Sequence, residues 1–205
     1  MAPLKESGIP DFFRALGSFE TTQTCDFTLE RLDDSKPWVM LAVGDPQVKN
    51  NEQVGYFREE GIADMRKLMA ADASKRYFAL ILGDLVYDQM GMYDAYVKSL
   101  SELGIPLFHV IGNHDHNKAI TVDADADASF EAAFGPTYYS YNIGDCHFIV
   151  LDDVLYTGSS SYTADITDEQ MAWLEQDLKY VPKDKLIIIP RVYTNKPRTK
   201  GTGYK

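Results

Sequence analysis

The sequence predicts an α/β fold in which parallel strands alternate with helices. Three apolar runs, at 38–43, 77–82 and 106–111, have the nearly continuous hydrophobic character of strands that are buried on both faces. Apolar residues between the first two runs recur at helical spacing, and a second helical segment precedes the third run. This strand–helix order is typical of parallel strands joined by crossover helices.

The second half of the chain predicts further strands. Residues 138–142 and 147–151 flank an Ile-Gly-Asp-Cys segment and suit a β-hairpin. Thr167 is placed to cap a helix whose first turn is acidic, and residues 186–189 indicate a last buried strand. Between the hairpin and that helix, residues 157–161 are predicted to form a polar loop.

Composition limits the classes of partner. The chain has 205 residues, of which 45% are hydrophobic, as in folded proteins rather than disordered ones. Its formal net charge of −11 disfavours nucleic acid as a partner, because both would be negative. A phosphorylated small molecule is still compatible with this charge, since bound cations reverse the local field.

Location and redox state are only weakly specified. Residues 1–11 contain no apolar core of signal-peptide length, so the chain as written would stay in the cytoplasm, although the compartment itself is unknown. No apolar run approaches the roughly 20 residues that cross a bilayer. Cys25 and Cys146 are far apart, which favours two free thiols over a disulfide.

Polar clusters follow each of the three apolar runs directly. They are Gly44–Gln47, Gly83–Asp88 and Gly112–Asp115. Asp45 and Asp84 are 39 residues apart and Asp84 and Asn113 are 29 apart, and each separation fits one strand–helix–strand unit. Because sites in open α/β sheets form beyond the carboxyl ends of the strands, we expect these loops to converge.

The residue types in these clusters are those of a site for hard divalent cations. Asp45 and Asp84 offer carboxylate oxygens, Gln47 and Asn113 offer neutral amide oxygens, and Asp84 could bridge two cations. A pair of cations polarises a phosphoryl group and promotes in-line hydrolysis of phosphate esters. Each cluster alone also fits an ordinary turn, but all three at this spacing favour a metal site.

Further residues of the clusters suggest supporting roles. His114 could protonate the leaving alkoxide or stabilise charge, and Asp115 could orient the His114 ring. Tyr87 and Asp88 could support the metal ligands from outside. His116 is expected to face solvent or to support the edge of the site.

Other polar residues are interpreted as structural. His109 lies within a predicted strand and is expected to be a core histidine, while His147 alternates on a strand and is expected to be structural too. Asp123, Asp125 and Asp127 resemble the start of a calcium loop, but the glycine and glutamate that such a loop needs are missing. This run is predicted to be a solvated, mobile loop.

The order of the clusters resembles the calcineurin-like metallophosphoesterases, which carry D-x-H, G-D-x-x-D, G-N-H-D/E, a lone histidine and G-H-x-H. Asp45–Gln47, Gly83–Asp84 and Gly112–Asp115 match the first three motifs, and the resemblance covers about residues 38–190. It implies an αββα sandwich flanked by helices, two divalent metal ions (Mn, Fe, Zn or Mg) and a phosphoester substrate.

This sequence departs from the family pattern in two places within the matched clusters. Gln47 replaces the first histidine, as in the branch similar to Mn-dependent ADP-ribose/CDP-alcohol diphosphatases. Tyr87 makes the second cluster fit G-D-x-x-Y, the pattern of purple acid phosphatases, in which the tyrosinate binds ferric iron.

A larger departure concerns the late histidines. No histidine follows His147, so three imidazoles that complete the metal spheres in the family are missing. The resemblance therefore implies a C-terminally truncated domain with an incomplete second sheet and impaired hydrolysis. The alternative is a non-catalytic remnant with weak or no metal binding.

The resemblance also implies a division of the chain into three parts. Residues 1–32 would be a linker or the end of a preceding β-rich region, residues 33–190 the partial phosphoesterase domain, and residues 191–205 an atypical basic tail. The substrate, monoesterase or diesterase activity and the oligomeric state stay open.

Overall fold

The computed structural model of the chain describes residue 24, residues 36–158 and residues 161–192. Most of the predicted N-terminal segment and of the basic tail lies outside the described residues, as does Cys25. Cys146 is a half-buried free thiol. The division of the chain at residues 33 and 190 therefore stays a prediction.

The first sheet consists of three parallel strands, as the sequence predicts. In spatial order they are β1 (Trp38–Val43), β2 (Arg76–Leu82) and β3 (Leu107–Val110). Val43 lies opposite Ile81, and Ile81 lies opposite His109. Because these positions are at or near the carboxyl ends of the strands, the three following loops begin side by side.

Helices cover one face of this sheet. A continuous helical stretch comprises α1 (Asn51–Tyr56), a π-helical segment (Phe57–Ile62) and α2 (Ala63–Ala71). α3 (Tyr93–Ser101) follows β2 and buries one side in the same core. Along the described ranges, none of the helices is both long and apolar enough to cross a bilayer.

The second sheet contains the predicted hairpin and the predicted last strand. β4 (Tyr139–Ile143) pairs antiparallel with β5 (Cys146–Val150), and β5 pairs parallel with a strand at Leu186–Ile188. Leu186 and Ile187 are 61% and 42% exposed. Contrary to the prediction of a buried strand, this strand is therefore exposed at two consecutive apolar residues, which point to opposite faces of the sheet.

One hairpin was not predicted. β6 (Val154–Gly158) and β7 (Ser161–Ala164) pair antiparallel, so residues 157, 158 and 161 of the expected polar loop belong to strands instead. All four residues of β7 are exposed. A strand without a buried face has no reason to alternate apolar and polar residues, and the sequence pattern could not reveal it. Counted in chain order after this hairpin, the strand at Leu186–Ile188 of the second sheet is β8.

The two sheets pack face to face between helical layers. Phe78 of β2 meets Phe148 of β5 edge-on, with ring centroids 5.5 Å apart, and Leu80, Val110 and Val150 are buried in the same core. On the outer face of the second sheet lies α6 (Asp168–Leu178). The αββα architecture that the sequence predicted is therefore confirmed.

Two of the histidines anchor this architecture. His147 is buried, and its Nε2 donates to Asp177 of α6 at 2.8 Å while Nδ1 lies 3.0 Å from Oδ1 of Asn142. His109 is 3% exposed, and its ring lies 4.4 Å from that of Phe134. Both are structural histidines, as predicted.

The acidic run after the third cluster is not a solvated loop. It forms α4 (Asp123–Ala126) and the start of α5 (Ala128–Phe134). Asp125 is exposed, but Asp127 is only 9% exposed, and its Oδ1 has no hydrogen-bond partner among the described residues. Burial and neighbouring acidic side chains raise the pKa of Asp127 to about 7. The prediction failed because the apolar residues that bury this segment come from elsewhere in the chain.

Candidate metal centre

The loops after β1 and β2 have a strained backbone at four residues of the polar clusters identified in the sequence. Asp45, Gln47, Asp84 and Asp88 have positive φ angles of 44°, 45°, 48° and 59°. Residues other than glycine rarely adopt this backbone conformation, which costs on the order of 1–3 kcal/mol and persists only where the surrounding structure enforces it. Such clustering is typical of functional sites.

Backbone hydrogen bonds join these two loops beyond the ends of their strands. The backbone nitrogen of Gln47 donates to the carbonyl of Asp84 at 2.8 Å, and that of Tyr87 donates to the carbonyl of Val48 at 3.1 Å. Val48 and Val86 form an isolated parallel bridge, and both are fully buried. The two loops are thus held in a fixed register.

The third loop lies directly against the second because position 112 is a glycine. A Cβ atom at Gly112 would overlap the backbone nitrogen and the Oδ1 of Asp84. Only glycine permits this approach, which places the carboxylate of Asp84 next to the turn at Asn113–Asp115. Asn113 is itself 7% exposed.

Asp115 ties the second and third loops together. Its buried carboxylate accepts hydrogen bonds from the backbone nitrogens of Leu85, Val86 and Gly112, at 3.1, 3.3 and 2.9 Å. The hydroxyl of Tyr93 donates to the same carboxylate at 3.2 Å. Burial raises the pKa of Asp115 to about 7, although the backbone donors oppose this shift.

His114 is oriented by Asp88 and not by Asp115, which corrects the expectation from the sequence. The Nδ1 of His114 lies 2.8 Å from Oδ1 of Asp88, and because Asp88 is a carboxylate, Nδ1 carries the proton. The backbone nitrogen of His114 donates to Oδ1 of Asp84 at 3.0 Å. All hydrogen bonds described for the Asp115 carboxylate come from other groups, so it holds loops together instead of orienting the ring.

Lys118 is a further neighbour of Asp88 that the sequence analysis did not identify. Its Nζ lies 2.7 Å from the same Oδ1 that meets His114. Burial alone would raise the pKa of Asp88, but hydrogen bonds from Lys118 and His114 outweigh it and leave the pKa below the ordinary value. A lone lysine four residues after a histidine is too common a pattern to single out.

Tyr87 covers one face of the imidazole. Its ring stacks on His114 with centroids 4.2 Å apart and planes inclined by 22°. The Nζ of Lys49 lies 4.3 Å from the centroid of the Tyr87 ring. Tyr87 therefore restricts the rotation of the His114 side chain.

The predicted metal ligands on the first two loops lie together. Gln47 donates from Nε2 to Oδ2 of Asp84 at 2.8 Å. Burial raises the pKa of Asp45, the negative charge of Asp84 raises it further, and His114 opposes both effects. The Asp45 carboxylate therefore lies within electrostatic reach of both other loops.

His116 does not face solvent, which corrects one of the two expectations for it. It is 1% exposed, its Nδ1 donates to the carbonyl of Gly112 at 3.0 Å, and its ring stacks on Tyr156. Burial lowers the pKa of His116, so the ring is neutral at neutral pH. Its hydrogen bond to the Gly112 carbonyl stabilises the third loop from the buried side.

The donor chemistry fits a hard divalent cation. Asp45, Gln47, Asp84 and Asn113 offer only oxygen, and the glycine cradle at position 112 keeps Asp84 close to the third loop. Across the described ranges, no group of three His, Cys, Asp or Glu side chains is arranged to hold a metal. A cation here would depend on amide oxygens, and Gln47 would have to turn its amide to present Oε1.

The chain returns to this site after β8. The backbone nitrogen of Val192 donates to Oδ1 of Asp153 at 3.2 Å, and a Cβ atom added to Gly83 would overlap the Val192 side chain. An apolar side chain thus lies beside the second loop, close to where the resemblance places a late imidazole.

The fold and the site together define a class: αββα proteins in which polar loops converge at the carboxyl edge of a parallel sheet. A family model for calcineurin-like phosphoesterases matches residues 39–199. The chain belongs to this family, whose members hydrolyse phosphoesters and generally use divalent metal ions. No curated protein matches the chain.

Proposed function

We propose that this chain hydrolyses phosphoric esters with two divalent cations. Asp45, Gln47, Asp84 and Asn113 are the residues that would hold them. The observation that supports this most strongly is the position of the Asp84 carboxylate, which contacts Gln47 on one loop and His114 on another at 2.8 and 3.0 Å. An all-oxygen ligand set favours Mn²⁺ or Mg²⁺ over Zn²⁺.

The protein's own part in the reaction centres on His114. When bound, the cations supply Lewis-acid polarisation of the phosphoryl group. Asp88 fixes the proton on Nδ1 of His114, so Nε2 is the nitrogen that gives a proton to the leaving alkoxide from the imidazolium form. Lys118 neutralises part of the charge on Asp88, and Tyr87 limits the ring to one orientation.

Turnover by this chain is proposed to be slow. Removing a single residue that supports a metal ligand typically costs 10–100-fold in affinity or activity. The resemblance implies that the next direct ligand, an imidazole, follows the strand at Leu186–Ile188, where this sequence has Pro190, Arg191 and Val192 instead. The proposed activity is therefore impaired relative to family members with complete metal spheres.

The test is hydrolysis of p-nitrophenyl phosphate and bis(p-nitrophenyl) phosphate with added Mn²⁺. We expect slow, metal-dependent turnover of at least one ester, which the substitution Asp84→Ala abolishes. Asp94→Ala is the matched control, because Asp94 is exposed on α3 and should leave the rate unchanged. Turnover that survives Asp84→Ala would contradict the proposal.

A second candidate function is a non-catalytic remnant that retains the fold. It is favoured by the lack of a three-residue metal group in the described part of the chain and by Val192 at the edge of the site. In that case neither ester is hydrolysed and no Mn²⁺ is bound.

A further inference from the structure

A cavity of about 460 Å³ opens beside the loop that follows β1. This volume is within the range of sites for small molecules. Its lining includes two of the proposed metal ligands, Asp45 and Gln47, and we call this part of it the metal end. The lining also includes residues of α1 and the π-helical segment: Gln53, Tyr56, Phe57 and Glu60. A phosphoester with its phosphoryl group at the metal end would extend its alcohol portion along this helix.

The wall of the cavity is rigid at the π-helical segment. Phe57 stacks on the buried ring of Tyr96, with centroids 5.8 Å apart. The Phe57 ring also lies over Gly61 of the same segment, where an added Cβ atom would be only 3.2 Å from the ring. Short π-helical segments occur frequently at functional sites, because their wider turn changes the direction of side chains.

The charge of the cavity is negative. Asp45 and Glu60 are its only charged lining residues in the described part of the chain. Neighbouring cations are engaged elsewhere: Arg58 pairs with Glu102 at 2.5 Å, and Lys49 lies over Tyr87. No described ion pair involves Glu60. A cation bound at the metal end would neutralise Asp45, which leaves Glu60 as the negative group of the lining.

An aromatic surface lies on the same helix as Glu60. Tyr56 is 55% exposed, and its hydroxyl donates to Glu52 at 2.8 Å, which fixes the ring position. Aromatic faces and carboxylates both attract amines and quaternary ammonium groups. An anionic alcohol portion, such as one with a second phosphate, would be repelled by Glu60.

We propose that this cavity binds the alcohol portion of the substrate, and that this portion carries a positively charged nitrogen, as in an amino alcohol. The placement of the phosphoryl group rests on the proposed function. Recognition of the cationic nitrogen by Glu60 and Tyr56 does not, because it requires neither metal nor turnover.

Binding to the full chain without metal tests the cation recognition directly. Ligand-observed NMR titrations would use choline, ethanolamine and 3,3-dimethylbutanol, the neutral carbon isostere of choline. We expect choline or ethanolamine to bind at least fivefold more tightly than the isostere, and their ratio distinguishes a quaternary from a primary amine. Glu60→Gln should reduce the preference over the isostere to less than twofold.

Glu59→Gln is the matched control. Glu59 is the neighbouring exposed residue of the same π-helical segment but does not line the cavity, so its substitution should leave the preference unchanged. Circular dichroism of both variants verifies the helix. Equal binding of choline and its isostere, or a preference unaffected by Glu60→Gln, would overturn the inference.

A hydrolysis experiment separates failure of the inference from failure of the proposed function. It compares phosphocholine with 3,3-dimethylbutyl phosphate in the presence of Mn²⁺. Equal turnover of both esters would contradict the inference and leave the proposed function intact. No turnover of either ester or of the two p-nitrophenyl esters, together with Glu60-dependent binding of choline, would contradict the proposed function and support the ligand class of the cavity.

Discussion

Asp88 and Asp115 show how two similar residues acquire different roles. Asp115 follows His114 in the chain, yet its carboxylate is buried beneath the loops, where backbone nitrogens bind it. Asp88 is 26 residues from His114 and reaches the ring because its own backbone is left-handed. Adjacency in sequence predicted the wrong partner, since a tight turn points successive side chains in different directions.

Replacing Asp88 by Asn should weaken catalysis more than binding. The amide keeps the size of the side chain but removes the charge that fixes the proton on Nδ1 of His114. We expect kcat to fall by about 10–100-fold with KM within a factor of about two, and Asp88→Glu to restore part of the loss. Steady-state kinetics with Mn²⁺ would measure this, and an unchanged kcat would show that Asp88 has no positioning role.

Asp127 makes the stability of the fold depend on pH. Its pKa rises from an ordinary value of 3.8 to about 7 in the folded state, so the unfolded chain loses this proton first. Stability should therefore fall as pH rises from about 4 to about 7 and then level off. Asp127→Asn should remove this pH-dependent contribution to the free energy of unfolding. The variant should therefore be more stable than the wild type at pH 8, by on the order of 1 kcal/mol, but not at pH 4.

Urea unfolding at pH 4 and pH 8 measures this difference. Asp125→Asn is the control, because Asp125 is exposed on the same short helix and should show no such gain. A variant Asp127→Asn that is equally stable relative to the wild type at both pH values would contradict the account.

Loops at strand ends were the elements that the sequence predicted best. Their spacing correctly indicated that the ends of β1, β2 and β3 meet, because buried parallel strands have a strong hydrophobic signature. The hairpin of β6 and β7 was missed, since all four residues of β7 are exposed and β6 is too short for its alternation to stand out. Val192 could not be placed at the site from sequence, because that contact depends on where the chain turns after β8.

Gly112→Ala should disrupt the contact between the second and third loops. The added methyl would overlap the backbone and the carboxylate of Asp84, so we expect a loss of about 1–3 kcal/mol in stability and of metal binding. Gly55→Ala is the matched control: a Cβ there meets nothing within 4 Å, and alanine in helix α1 should stabilise by roughly 0.5–1 kcal/mol.

Thermal unfolding and Mn²⁺ titration of the two variants compare them. If Gly112→Ala binds Mn²⁺ as well as Gly55→Ala does, the close approach at residue 112 is not what positions Asp84.

Packing of the two sheets determines the stability of the whole molecule. Phe148 of the second sheet meets Phe78 of the first with ring centroids 5.5 Å apart, and within its own sheet it stacks on Tyr141 at 4.9 Å. Phe148→Ala should cost about 3–5 kcal/mol, because it leaves a cavity between the sheets. Tyr180→Ala, at a position 78% exposed, should cost no more than about 0.5 kcal/mol. Equal losses in urea unfolding would show that the sheets are not packed as described.

The whole chain combines the fold of a known family with loop residues that depart from the family pattern of metal ligands. Membership of the calcineurin-like phosphoesterases is shown, and the sequence motifs indicated it because metal chemistry restricts both residue type and spacing. The number of cations bound was not predictable in the same way. It depends on how far amide oxygens replace imidazoles, which is an energetic question that spacing does not answer.

Titration of the chain with Mn²⁺, followed by electron paramagnetic resonance of the free ion, tests the central claim that three loops share a cation site. We predict saturable binding that is weakened at least tenfold by Asp84→Asn and unaffected by Asp94→Asn. Binding that is identical in all three proteins, or no binding by the wild type, would contradict it.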